Sequence, residues 1–125
     1  MDIRTAARTE RLRRETRKLA RRVLLDRASA DASLLTASIA DRHRPLRIWQ
    51  WGSLVHPERF SEISDIDIAV EGLPGGEEAL ASIRDVAESL TLFHVDLVEL
   101  ERVDQGRAEL IRRFGRVAWE RDERG

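Results

Sequence analysis

Cysteine is absent from the 125 residues. That excludes a disulfide framework, a thiolate zinc site and a cysteine nucleophile, and it suits a reducing compartment. No apolar run approaches the ~20 residues that a membrane-spanning helix needs. The opening Met1-Asp2-Ile3-Arg4 lacks the apolar stretch of a secretory signal. A cytoplasmic location without membrane contact is therefore expected. Internal repeats and low-complexity linkers are missing as well, and a chain of this length buries one core with little room for a second. The expectation is a single domain over residues 1–125, with a helical segment over 1–43 and a core over 44–125.

What is present in excess is charge, 36% of residues against 42% apolar. The formal net charge of −1 conceals a polarity along the chain. Residues 1–47 hold 13 Lys and Arg against 6 Asp and Glu, whereas the remainder holds 9 against 17. A basic front of this kind can serve as a solvated face, as cover for the acidic remainder, as a protein-partner surface or as a nucleic-acid contact; direct nucleic-acid binding is the least expected of these.

From Thr5 to about Asp41 there is neither proline nor glycine. Leu12, Leu19, Val23, Ala30 and Leu34 recur at spacings of seven and four, and Leu24, Leu35 and Ile39 widen the stripe. This predicts an amphipathic helix, either continuous or broken near residues 28–33, where Ser29, Asp31 and Ser33 offer caps. After Pro45, Leu46–Trp51 alternates in the manner of a strand. Gly52-Ser53 follows at once, then a polar loop to Ser64, and Asp65–Val70 reads as a second strand. Gly72–Gly76 is a turn, Glu77–Leu90 has helical spacing, and Leu92–Val98 is a third strand. Residues 104–114 predict a helix with Leu110, Ile111 and Phe114 on one side, capped by Gly115, and Arg116–Trp119 a last strand. The order predicts a small α/β domain with a mixed sheet and flanking helices. Trp49, Trp51 and Trp119 read as core or interface aromatics.

Three features carry chemistry. Gly52-Ser53 directly after a strand lets backbone approach an anion, with the serine hydroxyl adding a hydrogen bond. Asp65 and Asp67, two apart on a strand, point to one face, and two carboxylates so placed repel unless a cation such as Mg²⁺ lies between them. Asp96 interrupts an apolar strand and needs a metal, a partner or solvent. Beside the first pair it would complete a three-carboxylate site able to hold two metals, or act as the base that takes an attacking proton. Glu99 alternates to the other face. His43, His56 and His94 are scattered, although His94 shares the face of Asp96.

By average residue usage, Gly-Ser followed at this range by Asp-x-Asp occurs in roughly 1% of chains this size, so the strand context and the third Asp must carry the reading. With that context, Trp51-Gly52-Ser53, eleven residues, then Asp65-Ile66-Asp67-Ile68-Ala69-Val70 resembles the Gly-Ser…Asp-x-Asp signature of the polymerase-beta-like nucleotidyltransferase superfamily. Val95-Asp96-Leu97-Val98 resembles the strand with its third acidic residue, and residues 112–120 are similar to the end of the minimal nucleotidyltransferases. The resemblance spans roughly residues 46–120. It departs in carrying eleven rather than ten intervening residues, and in Leu54-Val55-His56-Pro57 where a small-Arg-Gly continuation is usual; Arg59 stands nearby as a substitute.

The resemblance implies a polymerase-beta-like nucleotidyltransferase fold, with ATP and Mg²⁺ bound through Gly52, Ser53, Asp65, Asp67 and Asp96. It further implies an antitoxin that transfers AMP from ATP to a tyrosine of a HEPN-domain ribonuclease toxin. Two alternatives stay open at this point, an inactive antitoxin that acts by occlusion and a nucleotidyltransferase for small molecules of the aminoglycoside type.

Overall fold

The computed structural model describes residues 2–122. It opens on one unbroken helix, α1 (Ile3–His43). With no proline or glycine in the run there is nothing to break it, and of the expected caps near residue 30 Asp31 is otherwise engaged, its Oδ2 accepting a hydrogen bond from Thr91 Oγ1 at 2.6 Å. Asp2 caps the N-terminus by accepting from the Thr5 amide at 2.8 Å. The helix stops at Arg44, which turns left-handed at φ 46° ahead of Pro45.

The core face of α1 is not the expected one. Ala28, Ala32, Leu35, Thr36, Ile39 and Ala40 are buried, with Leu24 and Leu25 packed at the margin. Leu12, Leu19, Val23 and Leu34 lie exposed on the opposite side. Of the predicted stripe, only its flanking members Leu24, Leu35 and Ile39 reach the core. Residues 3–23 bury almost nothing, so roughly the first half of the helix adds nothing to the core.

The remainder builds a four-stranded sheet in the order β3-β2-β1-β4. Here β1 is Arg47–Trp51, β2 Ile66–Glu71, β3 Val95–Glu99 and β4 Arg116–Glu120. β1 pairs antiparallel with both β2 and β4, while β2 and β3 run parallel through a crossover helix, α2 (Gly76–Leu90). Period-two alternation sorts the side chains. Ile48, Ile66, Ile68, Val70 and Leu97 face α1 and α2, meeting Leu35, Ile39, Leu80, Ile83 and Ala87. Gln50 on that buried face is satisfied at both ends, donating to Thr36 Oγ1 at 3.3 Å and accepting from Arg116 Nη2 at 2.5 Å.

The other face carries a smaller cluster, Ala69, Leu100, Ala108 and Ile111, with Trp49 and Trp51 against it. It is covered by the short α3 (Gln105–Phe114), in which Ile111 and Ala108 are buried whereas Leu110 and Phe114 are exposed, against the expectation that all three large residues share one side. Gly115 does close α3, its amide donating to Ile111 O at 2.8 Å. The third strand begins three residues later than the alternation suggested, leaving Leu92 fully exposed. No helix among the described residues is long and apolar enough to cross a membrane.

Candidate active site

The second sheet face, at the end where β1 finishes and β2 and β3 begin, gathers every residue singled out for chemistry. Asp67 and Asp96 stand directly opposite each other across the parallel β2–β3 pair. Residues so registered point to the same side, and the alternation that sends Ile66 and Ile68 into the core sends Asp67 away from it. Asp65 precedes β2, and its Oδ1 lies 3.4 Å from Nδ1 of the largely exposed His94.

β1 delivers the fourth element. Trp51 is the register partner of Asp67, and Gly52 therefore arrives beside that carboxylate. Gly52 opens a single 3-10 turn, Gly52–Leu54, at φ 70°. A Cβ in its place would run into Asp67 Oδ2, so both the backbone conformation and the close approach demand glycine. The carbonyls of Gly52 and Ser53 accept from the amides of Val55 and His56 at 3.2 and 3.3 Å. The leading amides of such a turn have no carbonyl to bind within it, and the Ser53 hydroxyl makes no hydrogen bond among the described residues.

The electrostatics follow from this crowding. Partial burial, then the neighbouring Asp96 and then Asp65, push the Asp67 carboxyl up from 3.8 to about 7, while Arg107 and His94 pull weakly the other way. Asp96 is relieved by a residue that sequence reasoning passed over. Asp104 caps α3, accepting from the Arg107 amide at 2.9 Å, which fixes Arg107 in the first turn. From there its Nη2 donates to Asp96 Oδ2 at 3.0 Å, and its guanidinium lies 5.1 Å from the centre of the Trp51 ring. The signal for it was the spacing Asp104-x-x-Arg107, a cap followed by a first-turn cation just after the strand that carries Asp96.

The structure thus brings Asp65, Asp67, Asp96, Gly52 and Ser53 to one edge. The three carboxylates do not form a finished cage: among the described residues, no three His, Asp or Glu side chains stand ready to hold a metal ion, and one oxygen of Asp96 is taken by Arg107.

No family model matches the sequence, and no curated protein matches it. Two solved structures do resemble the fold. A crystal structure of a toxin-antitoxin with AMP-PNP superposes with a TM-score of 0.59 at 21% identity, over 74% of this chain and 76% of that one. A crystal structure of a mutant toxin-antitoxin MntA-HpeT, in which two aspartates two positions apart are changed to glutamate, superposes with a TM-score of 0.54 at 23% identity, over 69% of this chain and 70% of that one. The small mixed α/β fold of this chain, a four-stranded sheet with flanking helices, is the fold of chains found in toxin–antitoxin structures.

Proposed function

We propose that this chain is the nucleotidyltransferase antitoxin of a toxin–antitoxin pair, one that transfers AMP from ATP to a hydroxyl of its toxin. The acceptor is a tyrosine of a HEPN-domain ribonuclease, and the reaction takes place in the cytoplasm. The observation that carries this reading is the opposition of Asp67 and Asp96 beside the Gly52 turn, two carboxylates crowded together where backbone comes close. Solved structures of the same fold support it: one contains AMP-PNP, an ATP analogue, and in the other the altered aspartates have the spacing of Asp65 and Asp67.

The residues fit a hard divalent cation. Burial first, and the charges of Asp96 and Asp65 behind it, lift the Asp67 carboxyl to about 7, and a cation between the carboxylates relieves the repulsive part of that shift. Asp65 and Asp67 would hold Mg²⁺, with Asp96 turning to a second ion or serving as base. Bound Mg²⁺ supplies charge neutralisation for the triphosphate and the departing pyrophosphate.

The chain's own groups do the rest. The Gly52–Leu54 turn and the Ser53 hydroxyl hold phosphate oxygens and orient the α-phosphorus. The acceptor oxygen forms a bond to that phosphorus as the bond to the bridging oxygen breaks. Pyrophosphate leaves with the electron pair, and the hydroxyl proton passes to the Asp96 carboxylate. Arg107, released from Asp96 by that change, would serve as a planar donor to the same phosphates.

Intact mass of the partner toxin, after incubation with this chain, Mg²⁺ and each nucleoside triphosphate in turn, tests the proposal. A gain of one or more nucleotide units with wild type, absent with the Asp65→Asn/Asp67→Asn double variant, is the expected result. A stable complex with no mass gain would refute transfer. It would favour a second reading, neutralisation by occlusion, for which the Arg107–Asp96 ion pair is the supporting observation.

A further inference from the structure

The projecting half of α1 is the part of the molecule that the proposed reaction leaves unused. Every residue of 3–23 is exposed except the half-buried Thr9. At 1.5 Å per residue this carries the helix ~30 Å past the first packed positions, Leu24 and Leu25. The face that packs on the domain through Ala28, Leu35 and Ile39 continues outward, at 100° per residue, as Arg14, Arg17, Lys18 and Arg21. These four line a groove of about 410 Å³ whose opposite wall is Ser61 and Glu62, from the loop between β1 and β2. Leu24 and Glu62 also line a second groove, of about 600 Å³, that reaches Asp65 and His94. The two join into one channel from the basic overhang to the edge of the candidate active site.

Its walls are mixed in character. Arg17 makes only an exposed ion pair with Glu10 at 3.4 Å, and Arg14, Lys18 and Arg21 pair with nothing among the described residues. Toward the active site the lining mixes charged Arg27, Asp31 and Glu62 with two apolar side chains that stand out in solvent, Ile63 at 88% and Leu92 at 100% exposure. Charge decides what fits. Residues 2–23 carry nine Lys and Arg against three Asp and Glu, so a second copy docking helix against helix would meet like charge. Nucleic acid would satisfy the cations but has no use for Ile63 and Leu92, and finds Phe93 and His94 side by side as stacking platforms but none along the basic groove. An acidic polypeptide with apolar side chains satisfies both walls.

We propose that this channel is the acceptor-docking site, and that it takes an acidic, amphipathic polypeptide segment. Acid side chains lie against Arg14, Arg17, Lys18 and Arg21, apolar ones on Ile63 and Leu92, and the acceptor hydroxyl arrives at Asp65. The inference names the acceptor class of the transferase reading and rests on it.

A fluorescently labelled random copolymer of glutamate and tyrosine is the probe, with anisotropy as the readout and no nucleotide added. Reversing the groove face (Arg14→Glu, Arg17→Glu, Lys18→Glu, Arg21→Glu) should weaken binding about tenfold or more, from four lost charge contacts. The same charge change on the sides and back of the helix (Arg4→Glu, Arg8→Glu, Arg11→Glu, Arg13→Glu) should weaken it about threefold or less. Ile63→Asn/Leu92→Asn, which removes apolar surface and adds no charge, should also weaken it, where a purely electrostatic surface would change little. Equal losses from the two quadruple variants, no binding by wild type, or tighter binding of a structured RNA that displaces the copolymer would each overturn the proposal. Calorimetric titration of wild type with Mg–ATP separates the two readings. Mg–ATP bound without copolymer overturns the docking channel alone, whereas copolymer bound without Mg–ATP overturns the transferase site alone.

Discussion

Replacing Asp67 with asparagine should stabilise the metal-free protein, and should do so only as pH rises. In the folded state the carboxyl is pushed from 3.8 to about 7 by burial and by Asp96 and Asp65. Between those values the folded chain holds a proton that the unfolded chain has lost. Stability therefore falls as pH climbs through this window, and the full penalty is in place above about pH 7. A rise of about three decades in proton affinity corresponds to ~4 kcal/mol. Asp67 is only partly buried, so solvent screening reduces that by about half, to ~2 kcal/mol.

Asparagine keeps the shape and removes the charge. Its advantage should be close to nil near pH 4 and complete by about pH 8, where ~2 kcal/mol is worth a rise in Tm of roughly 8 °C for a chain this size. Thermal melts in chelator across that range read it directly. Saturating Mg²⁺ should then close the gap by stabilising wild type alone, by ~2.7 kcal/mol at a hundred times Kd. A Tm difference that stays flat with pH, or an Asp67→Asn variant less stable than wild type at pH 8, would refute the argument.

Gly52→Ala should lower Tm and weaken Mg–ATP binding about tenfold or more in calorimetry, because it adds a Cβ at positive φ against Asp67; unchanged binding would remove the turn from the site. Arg107→Met should tighten binding of Mn²⁺ alone roughly fivefold by paramagnetic resonance, since a cation competing for Asp96 is lost, and should carry the Asp67 midpoint higher, Arg107 being one of the two groups that lower it. Leu35→Ala should cost about 2–5 kcal/mol in chemical denaturation, and its neighbour Leu34→Ala less than about 0.5 kcal/mol, because Leu35 is wholly buried and Leu34 is 60% exposed.

The candidate site was legible because its chemistry sits on strands. A period of two leaves one question per strand, which parity faces the core, and Ile66, Ile68 and Val70 answer it for β2. Asp67 then has only one side to occupy, and the Gly-Ser turn after β1 supplies its neighbour. What the alternation could not give is register. That Asp67 faces Asp96, rather than a position two residues away, is a property of the parallel pairing. Arg107 was hidden for a related reason: its role depends on where α3 starts relative to β3, a matter of connection geometry over eleven residues of which only the Asp104 cap is local.

The helix failed to declare its core face because apolar content is a poor guide to which side approaches a sheet. On α1 the larger aliphatic residues favoured Leu12, Leu19, Val23 and Leu34, yet the domain takes the side bearing Ala28, Ala32 and Ala40. Small side chains let a helix lie close over a sheet whose own face is filled with Ile48, Ile66 and Ile68, and a packed interior has no space to spare for larger ones on both sides. The exposed leucines add nothing to the fold by area removed from water. Nor does the basic run of the first half, which lies on the continuation of the core face only after the core has ended. A sequence that spends about twenty helical residues beyond its last core position, and arms the side facing Ser61 and Glu62 with Arg14, Arg17, Lys18 and Arg21, is shaped by something other than its own stability.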